Sequence, residues 1–110
     1  MDIKYEYHDS TVEKIEIKGE ILIIYIDLYP IFYKNEPKIK LCFNEITNIE
    51  KCKEFVNKLM EKYNGEDNYL GARIDRINVL KEENSLYKCF INCDDITLKF
   101  KCKFIMENEI

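Results

Sequence analysis

A chain of 110 residues, 46% hydrophobic and 35% charged, reads as one domain with a core that needs no metal or disulfide staple, which excludes extensive disorder. Its net charge of −4 lacks the basic footprint of a nucleic-acid binder, so no nucleic acid is expected and a basic protein partner is favoured. Nearly all of the 17 basic residues are lysine and Ala72 is the single alanine, a bias that AT-rich bacterial coding produces.

Residues 1–7 show no apolar run of the export-signal kind. The apolar stretch 21–26 is far too short to span a bilayer, so no membrane partner is expected. The expectation is a cytoplasmic protein whose five cysteines are reduced thiols.

Residues 12–18 and 21–29 are β-rich and flank Gly19 and Glu20, with glycine where a type II′ hairpin turn needs it. Pairing Lys18 with Ile21 sets Ile17 opposite Leu22 and Ile15 opposite Ile24, which with Ile26 and Leu28 form one apolar face. The other face carries Lys14, Glu16, Ile23, Tyr25, Asp27 and Tyr29. A loop between Pro30 and Pro37 holds Ile31, Phe32 and Tyr33, and residues 38–43 alternate again with Ile39, Leu41 and Phe43 inward.

The periodicity of Cys52, Phe55, Val56, Leu59, Met60 and Tyr63 predicts a helix over 48–63, with Thr47 and Glu50 as a capping box and Asn64-Gly65 as its stop. A polar link over 65–68 precedes a strand over 69–81 that twists at Gly71. Residues 86–92 and 96–106 make a second hairpin around Cys93-Asp94-Asp95. In the last run every even position from Ile96 to Met106 is apolar, and Lys99, Lys101 and Lys103 form a row in water. The expected fold is α+β: one mostly antiparallel, curled sheet of about six strands with one helix on its apolar face, a single domain over 1–110. A β-sandwich with a peripheral helix is the alternative.

His8, the one histidine, stands in Tyr7-His8-Asp9-Ser10. A base–orienter–nucleophile reading fails because consecutive residues splay apart and triads assemble from separate segments. The expectation is a turn made by Asp9 and Ser10, with His8 against the sheet edge, and no catalytic residue. No Cys-x-x-Cys pair is present, and Cys52, Cys89 and Cys102 fall on core faces, so neither metal nor cofactor is expected. Cys93 is read as the exposed thiol, its pKa raised by Asp94 and Asp95. The acidic pairs Glu66-Asp67, Glu82-Glu83 and Asp94-Asp95 read as solvated turns rather than cation loops. The feature that stands out is an outward tyrosine-rich patch of Ile23, Tyr25, Asp27, Tyr29, Phe32 and Tyr33, suited to a partner protein or a second copy.

The run Tyr7-His8-Asp9-Ser10-Thr11-Val12, followed by Ile15, Ile17 and a Gly-centred turn, resembles the opening of small, mostly uncharacterised bacterial proteins. Some of these are similar to immunity proteins of polymorphic toxin systems. Phe43-Asn44-Glu45-Ile46 extends the likeness to about the first half of the chain. The resemblance implies a non-catalytic cytoplasmic protein that binds another protein, and assigns no role to His8, Asp9 or Ser10. Together these readings give a protein-binding domain, of the immunity or accessory kind, acting on a basic partner. The alternatives are a small-ligand binder or enzyme with a pocket between sheet and helix, using Asp27, His8 and tyrosine hydroxyls, or a homodimer with no other partner.

Overall fold

A computed structural model describes residues 3–35, 37–63 and 69–110. The described residues form β1 (Thr11–Lys18), β2 (Ile21–Asp27), β3 (Lys38–Asn44), α1 (Ile49–Lys62), β4 (Ala72–Lys81), β5 (Tyr87–Cys93), β6 (Ile96–Cys102) and β7 (Phe104–Glu109). All seven strands join one sheet in the order β6-β5-β4-β1-β2-β3-β7, and every pairing is antiparallel. The fold is therefore α+β with mostly sheet, as expected, with one strand more than the sequence suggests.

The first hairpin has the expected register: Lys18 faces Ile21, Ile17 faces Leu22 and Ile15 faces Ile24. Gly19 takes a φ of 61°, the left-handed value its turn position requires, while Glu20 does not. A bulge between Val12 and Lys14 frees the Glu13 carbonyl, which accepts the Leu70 amide at 2.8 Å. Asp94 and Asp95 both have positive φ, as a two-residue turn between Cys93 and Ile96 demands, and short polar side chains tolerate that region best.

The extra strand comes from the C-terminal run. Its alternation holds from Leu98 through Phe100 to the buried Cys102, then changes phase at Lys103. Phe104 and Met106 are half-exposed, and Ile105 is the buried residue. At Lys103 the chain leaves one edge of the sheet, where β6 pairs β5, and joins the other, where β7 pairs β3. The sheet is curled tightly enough to bring its two edges within one residue, though it is not closed. Phe43 of β3 and Phe100 of β6 meet edge-to-face at 5.1 Å across the core, although four strands separate them in the sheet order.

β1 and β4 share two residue pairs, Thr11 with Arg73 and Val12 with Ala72, before they diverge. Helix α1 packs mainly on β6 and also meets β1, burying Cys52, Phe55, Val56 and Leu59. Two helical expectations change. Met60, on the edge of the apolar stripe, is 52% exposed. Thr47 makes no capping box; its amide and hydroxyl both donate to the Lys101 carbonyl, at 2.9 and 3.3 Å, and Asn48 is the residue at the cap. The expected stop at Asn64-Gly65, the link over 65–68 and the pair Glu66-Asp67 lie outside the described residues.

Residues 4–7 run beside β7 at one edge of the sheet, and residues 8–10 run beside β4. Glu107 of β7 accepts the Lys4 amide at 2.7 Å, the Tyr5 amide at 3.3 Å and the Tyr7 hydroxyl. Tyr7 is fully buried, and its ring together with Tyr5 and Tyr33 forms an aromatic run that extends the core. Among the described residues, no helix is long and apolar enough to cross a membrane.

Candidate functional site

The six residues of the expected patch are distributed over three environments. Ile23 points to the outer face of β2 but is only 6% exposed, covered there by its neighbours. Tyr25 is half-buried on the same face, with Lys14 and Lys40 ammonium groups 5.7 and 5.8 Å from its ring and its hydroxyl 3.3 Å from Glu16 Oε1. Asp27 accepts the Tyr69 hydroxyl at 2.8 Å and lies 3.6 Å from Lys38 Nζ. Burial, then that bond to Asp27, pushes the Tyr69 hydroxyl up to about 12. Tyr29 stacks edge-on against the exposed Phe32, with centroids 5.3 Å apart. Tyr33 turns the other way, toward Tyr5, and its hydroxyl accepts the Glu6 amide at 2.8 Å. The structure thus brings Ile23 and Tyr25 together on one surface, and places Phe32 and Tyr33 beside the N-terminal segment.

The outer apolar surface instead runs across strands. Register sets Ile23 beside Cys42 and Cys42 beside Met106, while Phe104 pairs with Asn44 one row away. Period-2 reading follows one strand at a time, so it cannot see a row made by three strands.

His8 and Asp9 occupy a turn, closed by the Ser10 amide donating to the Tyr7 carbonyl at 3.0 Å, with Asp9 at φ 64°. Ser10 is buried, and its Oγ accepts the Tyr29 amide at 3.0 Å, so this hydroxyl is engaged in holding the end of β2. His8 Nδ1 donates to the Asp75 carbonyl at 2.9 Å, and Nε2 lies 3.3 Å from Asp9 Oδ2. Beyond them a chain of charges continues. Arg73 lies 3.9 Å from Asp9 and 2.6 Å from Asp75, and Asp75 accepts the Asp94 amide at 2.8 Å. The Asp94 carboxylate in turn accepts the Tyr63 hydroxyl and lies 3.0 Å from Lys62 Nζ. Those two contacts, the hydroxyl first, hold Asp94 below the usual carboxylate range. Burial and the same bond raise Tyr63 to about 12. This network ties the N-terminal turn, β4, the β5–β6 turn and the end of α1 together.

Cys93 is buried rather than exposed, because its side chain points to the core face of β5. Burial first, then Asp75 and Asp94, pushes its thiol up to about 12. Cys42, on the outer face of β3, is the partly exposed thiol. Among the described residues no group of three or more His, Cys, Asp or Glu side chains is placed to hold a metal ion.

The outer face of β4, β5 and β6 holds a further group of residues, of which the alternation of β6 signals only the lysines. There Arg76, Asn92 and Thr97 form one row, Asn78, Phe90 and Lys99 a second, and Leu80, Lys88 and Lys101 a third. These nine residues include four cations and no carboxylate, in a chain whose net charge is −4. A cleft of about 980 Å³ opens on this face between residues 3–8 and β4, lined in part by His8, Phe32, Arg76, Asn78, Phe90 and Asn92. Glu6 and Asp75 line it as well, but both carboxylates are engaged, Glu6 by the His8 amide at 2.9 Å and Asp75 by Arg73 and the Asp94 amide. A groove of about 500 Å³ continues from Asn78 and Phe90 to Leu80, Lys88 and Lys99. The alternating lysines of β6 were a signal for this surface in the sequence, but its other two strands become neighbours only through the fold.

Comparison of the chain with protein-family models, with curated proteins and with solved structures finds no match.

Proposed function

We propose that the chain is a non-catalytic protein-binding domain, of the immunity or accessory kind, which holds its partner against the outer face of the curled sheet. The observation that supports this reading is the row Ile23, Cys42 and Met106 with Phe104 beside it. Phe104 is 46% exposed and Met106 47%, both on the edge strand β7, and the row beside that of Met106 holds Lys40 and Tyr25. Apolar side chains grouped on an outer sheet face and rimmed by charge are the composition of a protein interface. Charge complementarity to a basic partner has less support than the net charge suggests. Asp94 is occupied by Tyr63 and Lys62, and Glu82 lies 3.2 Å from Lys101 Nζ.

The second reading, a homodimer, draws on the same strip, because β7 is an edge strand and its apolar residues reach that edge. A pocket between sheet and helix has no comparable support, since Cys52, Phe55, Val56 and Leu59 are buried there.

Light scattering after size exclusion, with and without native lysate, tests the proposal on the parent and on Met106→Asp. A defined complex lost in Met106→Asp with its melting temperature retained supports a partner. A dimer that the substitution dissociates assigns the strip to self-association. A monomer that captures nothing overturns both.

A further inference from the structure

We propose that the outer face of β4, β5 and β6 is a second binding surface, one that takes an extended acidic peptide segment. The inference rests on the binding-domain reading but not on the β7 strip. Three features carry it.

The first is charge placement. Arg76, Lys88 and Lys99 have no acidic partner among the described residues. Strands about 4.8 Å apart and alternate residues about 7 Å apart put Lys88 and Lys99 about 8–9 Å apart, close to the Debye length at physiological salt, with Arg76 about 12 Å from Lys99. A ligand at this face meets the local cations before the field of the whole chain, so the sign of the patch, not the net charge of −4, selects the partner.

The second is shape. The cleft and the groove meet at Asn78 and Phe90, so one continuous channel runs from His8 and Arg76 to Lys88 and Lys99. Phe90 stands at its centre, with Lys99 Nζ 5.8 Å from the ring centroid and Leu80, 66% exposed, nearby.

The third is an unmet hydrogen bond. Asn92 Oδ1 is shielded from solvent, and Asn92 lines the cleft; no donor reaches this oxygen among the described residues. Buried acceptors are ordinarily satisfied, and a peptide N–H laid along β5 would meet it. In an extended ligand, side chains on one side recur about every 7 Å, the spacing of Asn92, Phe90 and Lys88. The matching segment has an apolar residue over Phe90, and Asp or Glu two positions to either side, facing Arg76 at one end and Lys88 at the other, with Lys99 beside Phe90 within reach of the acid at the Lys88 end. A nucleic-acid strand could also use cations and Phe90. The peptide is favoured because Asn92 Oδ1 calls for an N–H donor, which a peptide backbone carries at nearly every residue and a sugar-phosphate backbone lacks.

The test is fluorescence anisotropy on the full chain with three labelled probes: a short peptide with Glu at alternate positions around a central Leu, its Lys counterpart, and oligothymidylate. The acidic peptide is expected to bind, to weaken with added salt, and to lose at least about tenfold in affinity in the double variant Arg76→Glu, Lys99→Glu. The Lys peptide is expected not to bind. Circular dichroism confirms that the variant folds. Met106→Asp serves as the control that separates the two surfaces: it disrupts the β7 strip and should leave peptide affinity unchanged. Absence of acidic-peptide binding, equal or tighter binding of oligothymidylate, or indifference to the double variant would each overturn the proposal.

Discussion

Cys102 is the last residue of one edge strand and Phe104 the first of the other, so a single residue, Lys103, connects the two edges of a seven-stranded sheet. The crossing is fixed by backbone: the Lys103 amide donates to the Asn44 carbonyl at 3.1 Å, and the Thr47 amide donates to the Lys101 carbonyl at 2.9 Å. Lys103→Pro removes the first of these donors and stiffens φ at the pivot. It should destabilise the protein by about 2–3 kcal/mol, whereas Lys103→Ala, which keeps the amide, should stay within about 0.5 kcal/mol. Urea unfolding of both variants makes the comparison; equal midpoints would show that the crossing does not depend on this bond.

This crossing also explains where sequence reading succeeds and where it stops. The first hairpin was legible because turn chemistry and apolar period select the same register, Ile15 opposite Ile24. The break at Lys103 was not, because Phe104 and Met106 continue the apolar even positions, and only pairing with β3 turns Ile105 inward. Ile23 was legible as outward-pointing but not as covered, since cover comes from neighbouring strands. The cationic face was half visible, as the lysine row of β6. Its other members, Arg76 and Asn92, lie on strands whose adjacency is a property of the sheet.

Tyr7 links stability to alkaline pH. Its hydroxyl is buried and donates to Glu107, and burial first, then that carboxylate, holds its pKa well above the ordinary 10.0. A raised folded pKa means that the stabilisation is intact below pH 10 and is lost as pH rises further, because the unfolded chain releases the proton first. Tyr5, Tyr63 and Tyr69 shift in the same direction, so the parent loses stability over several ionisations. Tyr7→Phe should cost about 1.5–3 kcal/mol at neutral pH, where it removes a charge-assisted bond. Above pH 10 its stability should fall less steeply than that of the parent, by about 1.4 kcal/mol per pH unit, the equivalent of one proton. Denaturant unfolding from pH 7 to pH 11 measures both; parallel curves would show that Tyr7 does not titrate with folding.

The thiols should report burial directly. Burial raises the pKa of Cys52 and Cys93 to about 12 and raises that of Cys42 as well. Cys89 is buried with its Sγ 3.7 Å from that of Cys102. Only the thiolate attacks a disulfide reagent, so both access and ionisation protect the core cysteines. With an aromatic disulfide at pH 8, native protein should release about one equivalent slowly, from Cys42, and the remainder only on unfolding. Cys42→Ser should abolish the native phase. Fast native labelling that survives this substitution would place another thiol at the surface.

Ser10 separates a structural role from a chemical one within the His8-Asp9-Ser10 step. Its buried hydroxyl accepts the Tyr29 amide, and its carbonyl accepts the Ile74 amide at 2.8 Å, so the residue joins the end of β2 to β4. Ser10→Ala leaves the Tyr29 N–H without its acceptor and should cost about 1–3 kcal/mol. Ser10→Thr keeps the hydroxyl but adds a methyl group in a filled site, so it tests space rather than bonding. His8 is different, since its side chain is 54% exposed and its ring bonds to a carbonyl at the surface. His8→Ala should change stability by no more than about 0.5 kcal/mol. Thermal melts of the three variants distinguish these roles. If Ser10→Ala melts with the parent while His8→Ala falls by several degrees, the hydrogen bond to Tyr29 is not what holds this turn.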